Sequence, residues 1–308
     1  MEVAHRRPDR KVSRMDHITF LVTVFCLIDD WLQGQPRLRA RGRAPKLKDS
    51  EVLTMEVVGD FMGIETESGL FTHFRRYYSA WFPQVRHITR TTFTRQMANL
   101  RWVKERLWRH LLTQLELDPG LSVVDSFPVP VCRFARAYRC KRLRSWAAWG
   151  YDDLNHQVFF GLRAHIRIAF PGVITALALY PANEHDRWAA DDLLADCQGW
   201  VLGDTNYWSP TLSDDMAGHG AALLAPRKTS VKRTHHPWPH WLTQARRRIE
   251  TVIGQLTERF RAKRVWARTP HHLCSRWLRM ILCHTFAVLL CQQAGLDSPL
   301  QFASLLTD

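Results

Sequence analysis

Apolar residues recur every three or four positions through the first third of the chain, then switch to short runs after Pro119. The run Ile18 to Ile28 predicts a core helix. Basic residues precede it, as in a signal peptide, but it starts late, lacks a small-residue cleavage site and runs straight into Asp29, Asp30 and Trp31. Asp49 and Ser50 are placed to cap a helix carrying Val52, Leu53, Met55, Val57 and Val58, ended by Gly63. A second helix is predicted from Glu67 to Ala80. A third, long helix is predicted after Thr89–Thr91, with Phe93, Met97, Leu100, Val103, Leu107, Leu111 and Leu115 on its apolar face. Arg95, Arg101, Lys104, Arg106 and Arg109 occupy its other faces. Residues 1–15 read as a basic tail, 34–48 as a linker or DNA-contacting arm, and 16–118 as an all-helical, basic domain.

From 119 to 308 the pattern predicts an α/β domain that ends in helices. A strand at Leu121–Asp125 is followed by a hairpin of Val158–Phe170 with Val173–Tyr180, turned at Pro171-Gly172. A helix over Asp186–Cys197, strands at Trp200–Asp204 and Ala221–Ala225, and a helix over Leu242–Phe260 complete a mixed-sheet order. The long connections are 126–156 and 226–241. Leu278 to Cys291 is apolar but carries Arg279 and His284, and is too short to cross a bilayer, so no membrane partner is expected.

Charge sharpens this picture. With 43 Lys+Arg against 29 Asp+Glu, the formal net charge is +14, which points to a polyanionic partner, nucleic acid first among them. The charge is blocked: residues 126–151 hold six basic residues and no acid, whereas 152–215 hold ten acids and three basic residues. Blocks 86–110 and 216–268 are also strongly basic. A hydrophobic fraction of 46% excludes disorder as the main state. Seven cysteines without tight spacing read as reduced thiols of a cytoplasmic protein.

Three acids stand out within the α/β pattern. Asp125 and Asp204 each end a predicted strand, where open α/β sheets collect their functional side chains. Glu250 lies on the last helix of the core, at the border of its apolar stripe, level with Arg246 and Arg247 one turn earlier. Gly254, one turn later, leaves open space beside it. Converging, the three make a hard-oxygen site suited to Mg²⁺. Singly, each has a plainer reading: a cap before Ser126, a turn before Asn206, and a helix-surface pair with Arg246 or Arg247. Asp186 reads as the cap of its own helix. Cys132 with Cys140, and His235, His236 and His240, lack the paired short spacings of a structural zinc site. Trp208, Trp238 and Trp241 lie in predicted loops beside basic residues, placed to stack on unpaired bases.

Four segments in order carry a resemblance: Val-Val-Asp125-Ser-Phe-Pro-Val-Pro-Val-Cys132, Ala182-Asn-Glu-His-Asp186, Leu-Gly-Asp204-Thr-Asn-Tyr207 and Arg247-Arg-Ile-Glu250-Thr-Val. Together they resemble bacterial insertion-sequence transposases of the DDE type, most closely the 982 group, over nearly the whole chain from about residue 16. The resemblance implies an RNase H-like catalytic core with Asp125, Asp204 and Glu250 as catalytic, metal-holding residues. It implies two Mg²⁺ (or Mn²⁺) ions, cleavage at the ends of a DNA element and joining of the 3′-OH to target DNA. Arg246 and Arg247 are then expected near the cleaved strand, Arg133, Arg136 and Arg139 along the DNA path, and Arg95 and Arg101 in end recognition. A homodimer on DNA is expected because two ends need two sites. Two departures stand out: Thr205-Asn206 replaces the family's usual Lys-Gly, and Thr243 and Thr257 stand where a related signature has Tyr and Lys. A non-recombining DNA-binding protein of the same fold, and an RNase H-like nuclease without strand transfer, remain the alternatives.

Overall fold

The computed structural model describes residues 15–36, 38, 44–207, 209–224 and 240–306. Helices α1 (His17–Gln33), α2 (Asp49–Phe61), α3 (Glu67–Tyr77), α4 (Arg90–Asn99) and α5 (Arg101–Leu112) precede strand β1 (Asp118–Pro130). Then come β2 (Ala148–Asp152), β3 (Gln157–Phe170), β4 (Val173–Pro181), α6 (Asp186–Leu194), β5 (Gly199–Leu202), α7 (Pro210–Gly218), β6 (Ala221–Leu224), α8 (His240–Gly254) and α9 (Pro270–Gln293).

The helical part follows its apolar spacing, with two differences. Lys48, not Asp49, is the residue before α2, and Glu51 reaches back to accept its backbone N–H at 2.6 Å. The long helix foreseen from Thr89 is two helices, broken at Leu100, where ψ opens to 8°. Apolar spacing alone is blind to such a bend, because both pieces turn the same kind of face inward. The apolar run at 18–28 supplies the buried face of α1, through Phe20, Leu21, Val24 and Ile28.

The apolar run near the C-terminus belongs to α9, which starts at a Thr269 cap followed by Pro270. Its most hydrophobic window is 94% buried against the other helices, which accounts for an apolar stretch of this length. It packs on α2, α4 and α5, so one apolar cluster crosses residue 118 without interruption. Within that contact lies a buried ionic set. Lys104 Nζ meets Glu56 Oε1 at 2.5 Å, and Arg279 Nε meets Asp60 Oδ2 at 2.8 Å.

The sheet is mixed, in the order β2-β3-β1-β5-β6, with β4 also paired to β3. β1, β5 and β6 run parallel, and β3 runs antiparallel to β1 and to β4. The hairpin at Pro171-Gly172 forms as the sequence predicts. β1 corrects the predicted strand end, since it continues past Asp125 to Pro130. The two prolines beyond Asp125 are tolerated because Val131 donates its N–H toward Phe160 on β3, so Pro128 and Pro130, of opposite parity, turn their nitrogens to the side without a partner strand. The connection 126–156 also holds β2 and a 3₁₀ turn over Phe134–Arg139, and α7 stands between the last two strands.

Side chains alternate across the sheet. Val124, Val201 and Leu223 join the apolar cluster under α6 and α7, while Val123, Phe127 and Leu202 join the larger one under α8 and α9.

Candidate active site

The parallel pairing of β1 with β5 sets Leu121 beside Trp200 and Val123 beside Leu202. Asp125 and Asp204 each lie two residues beyond that last rung, so both stand at the same height just past the point where the parallel pairing ends, Asp125 within β1 and Asp204 after β5. Adjacent strands are about 4.8 Å apart. Two carboxylates are thereby brought together, the second on the short turn that leaves β5.

Alternation decides what surrounds them. Asp125 shares parity with Val123 and faces α8, whereas Ser126 faces α6. The backbone N–H of Ser126 donates to Asp125 Oδ1 at 2.7 Å, fixing the carboxylate. The Ser126 hydroxyl donates to Asp186 Oδ2 at 3.3 Å, and Arg163 Nε lies 3.7 Å from Asp186 Oδ1. Asp186 is therefore no cap: His185 fills that position, its Nδ1 accepting from the Arg187 N–H, and Asp186 is buried in the first turn facing the sheet. Tyr207 places its hydroxyl 2.9 Å from His165 Nδ1, with both side chains fully buried, and its backbone N–H donates to the Asp204 carbonyl at 3.0 Å. Sequence reasoning passed over Ser126, Arg163, His165 and Tyr207. The β1–β3 register sets Ser126 beside His165 on one face, a pairing that local alternation does not reveal.

The electrostatics follow. Burial, first, and the nearby Asp204 and Asp186 push the Asp125 carboxyl up to about 6, against the opposing pull of the Ser126 N–H and Arg246. Burial also raises Asp186, and it raises the Tyr207 phenol well above its usual range. Burial, with help from Arg163, lowers His165 to about 3, so its ring is neutral.

From α8, Arg246 Nη2 reaches to 3.9 Å from Asp204 Oδ1. Glu250 is one turn further on and exposed, and a Cβ at Gly254 meets nothing within 4 Å, so the open space foreseen there exists. Among the described residues, no three His, Cys, Asp or Glu side chains stand close enough to hold one ion in this conformation. Asp125 and Asp204 come together; Glu250 faces solvent on the neighbouring helix. The donor set is all carboxylate, and Asp125 is strained toward neutrality by its burial and like-charged neighbours. A hard dication fits the paired carboxylates of Asp125 and Asp204.

The arginines divide by surface. Arg133, Arg136 and Arg139 recur every three residues along the 3₁₀ turn, whose period is three, so they form one row. That row lines a groove of about 1240 Å³ whose other wall holds Lys263, Arg264 and Trp266. Cys132 and Cys140 lie in the same groove, and burial and the neighbouring Cys140 push the Cys132 thiol up to about 11. Arg95 and Arg247 are exposed, while Arg101 lays its guanidinium 4.5 Å from the Trp102 ring. Trp241 is not in a loop: it lies in the first turn of α8 and stacks on Trp200 at 5.3 Å. Trp208, Trp238, His235 and His236 lie outside the described residues.

Paired aspartates where two adjacent parallel strands part, flanked by a carboxylate- and arginine-bearing helix, define the class as an α/β protein with an acidic site beside its parallel strands. Residues 116–268, which are 153 of the 308 and contain all three sequence-predicted acids, match the family model of the transposase DDE domain. The whole chain is similar in fold to piggyBac transposase, solved by cryo-electron microscopy as a synaptic complex with hairpin DNA. The TM-score is 0.51 at 8% identity, covering 96% of this chain and 80% of that one. No curated protein sequence matches the chain.

Proposed function

We propose that the protein is a DDE transposase of the bacterial insertion-sequence type, akin to the 982 group, with an RNase H-like core. It binds the ends of a DNA element, hydrolyses a phosphodiester bond there and joins the released 3′-OH to target DNA. The observation that carries this is the matched height of Asp125 and Asp204 on neighbouring parallel strands, inside the segment that matches the DDE domain.

In the hydrolytic step a water oxygen bonds to phosphorus as the P–O3′ bond breaks; in the joining step that 3′-OH attacks a target phosphate in the same way. Two bound Mg²⁺ or Mn²⁺ ions would supply activation of the attacking oxygen and neutralisation of the leaving one. Asp125, fixed by the Ser126 N–H, and Asp204, fixed by the turn to Tyr207, hold the metal-binding face open. Arg246 balances Asp204 before DNA arrives and then turns to the scissile phosphate. That movement frees Asp204 and lets Glu250, about 6 Å further along α8, complete the set. The row at Arg133, Arg136 and Arg139 holds the backbone of the duplex, while Arg95 and Arg101 in the helical part recognise the end sequence. The active form on DNA is a homodimer, one site for each end.

The experiment uses labelled DNA carrying the inverted repeats that flank the gene, with Mg²⁺ added. Cutting followed by strand joining is the expected outcome. Binding alone would favour a non-recombining DNA-binding protein, and cutting without joining a nuclease.

A further inference from the structure

We propose that the groove between the Phe134–Arg139 turn and residues 263–266 is a site for an unpaired stretch of DNA strand, with bases stacked on Trp266 and Tyr138. This rests on the reading of the protein as a DNA-processing enzyme, and it adds a ligand form that the acidic site does not require.

The groove has two rigid walls. Arg142 Nη1 donates to the Val265 carbonyl at 2.7 Å, and the Leu143 N–H donates to the Arg268 carbonyl at 3.4 Å. The arginine row supplies one wall with positive charge and Lys263 supplies the other, and among the described residues no carboxylate lines the groove. A channel of this charge tracks a phosphate backbone. Phosphate contact alone leaves the aromatic residues unexplained.

Trp266, inside the groove, is 51% exposed, and Tyr138, beside groove-lining Arg139, is 83% exposed. Other rings are as open, Trp102 and Trp188 at 62% each; what sets Trp266 and Tyr138 apart is the acid-free line of arginines beside them. The Tyr138 side is held by packing. The Tyr138 ring lies 5.2 Å from that of Trp149, and Phe134 meets the same indole at 5.7 Å, edge-on. Ordered, open ring faces beside a line of arginines are what unpaired bases need, since every base has a face to stack and a duplex hides its own. Duplex DNA offers this surface only phosphates and groove edges.

The test compares the affinity of the full chain for a blunt duplex and for the same duplex with a short 3′ tail of thymidines, without metal, at one fixed salt concentration. Wild type is expected to bind the tailed form about five-fold or more tightly, as one or two stacked bases provide. Trp266→Ala and Tyr138→Ala should each lose most of that preference while holding the blunt duplex within about two-fold of wild type. Trp266→Phe should keep it, which separates stacking from loss of fold. Replacing Arg133, Arg136 and Arg139 together should weaken both DNAs, the tailed form at least as much as the blunt one. Equal affinity of wild type for the two DNAs, or a preference that survives both alanine changes, overturns the inference and leaves the proposed function standing. Failure to bind either DNA overturns both.

Discussion

The Arg246 guanidinium, on α8, lies 3.9 Å from the Asp204 carboxylate at the end of β5, tying the helix that carries Glu250 to the strand end that carries Asp204. The pair is half-exposed, with side chains 36% and 41% accessible, so it contributes at most about 1 kcal/mol. Arg246→Ala should leave the thermal midpoint nearly unchanged. Calorimetry without DNA should show Mg²⁺ bound up to about five-fold more tightly, because a competing cation is gone. Cleavage should nevertheless slow, since the phosphate loses its partner. Weaker Mg²⁺ binding in this variant would show that Arg246 does not compete for the Asp204 carboxylate.

Asp125 links pH to stability. Its carboxyl holds a proton up to about 6 in the folded chain, against 3.8 as its ordinary value. Between those values the folded state carries the extra proton, so stability is lost as pH rises through the window. Asp204 and Asp186 press it toward the neutral form, and Arg246 and the Ser126 N–H toward the charged one. Asp125→Asn cannot ionise. Its melting temperature should therefore exceed that of wild type at about pH 8 and converge with it at about pH 4. A variant less stable than wild type at about pH 8 would contradict this.

Much of the fold was legible because its rules are local. Alternation and turn residues gave the hairpin at Pro171-Gly172, and the stripe from Ala245 to Leu256 gave α8. The end of β1 was misread because Pro128 and Pro130 look like strand breakers until the missing neighbour on that side is known. The break at Leu100 leaves no mark in apolar spacing. Asp125 and Asp204 were expected at strand ends, but Asp125 lies within β1, and their matched height depends on which strands pair in parallel, a non-local fact. Asp186 looked like a helix cap because its partners, Ser126 and Arg163, are distant in sequence and meet only across the sheet.

The Lys104–Glu56 and Arg279–Asp60 set joins the N-terminal helices to α9. Burial pushes Glu56 up and Lys104 down, each opposed by its partner. Lys104→Met leaves Glu56 as an uncompensated buried acid and should cost about 3–5 kcal/mol in denaturant unfolding. Changing Glu56→Leu together with Lys104→Met should restore most of that loss. If the double variant is as unstable as the single one, packing rather than charge holds this contact.

Tyr207→Phe removes the hydroxyl that meets His165 and leaves a buried ring nitrogen without its partner, at a cost of about 1–3 kcal/mol. The turn carrying Asp204 loosens with it. The expected signature is a lower cleavage rate at unchanged DNA affinity. A proportional loss of both would mean the network supports the fold alone.

The central claim is that Asp125, Asp204 and Glu250 act together on DNA although Glu250 faces solvent in the free chain. The direct measurement is Mg²⁺-dependent cleavage of end DNA by Asp125→Asn, Asp204→Asn and Glu250→Gln, with DNA affinity followed in parallel. All three should abolish cleavage while binding DNA as well as wild type or better, because each removes negative charge from the DNA-facing site. Wild-type cleavage by Glu250→Gln would contradict the account, leaving the two aspartates without their third partner on α8.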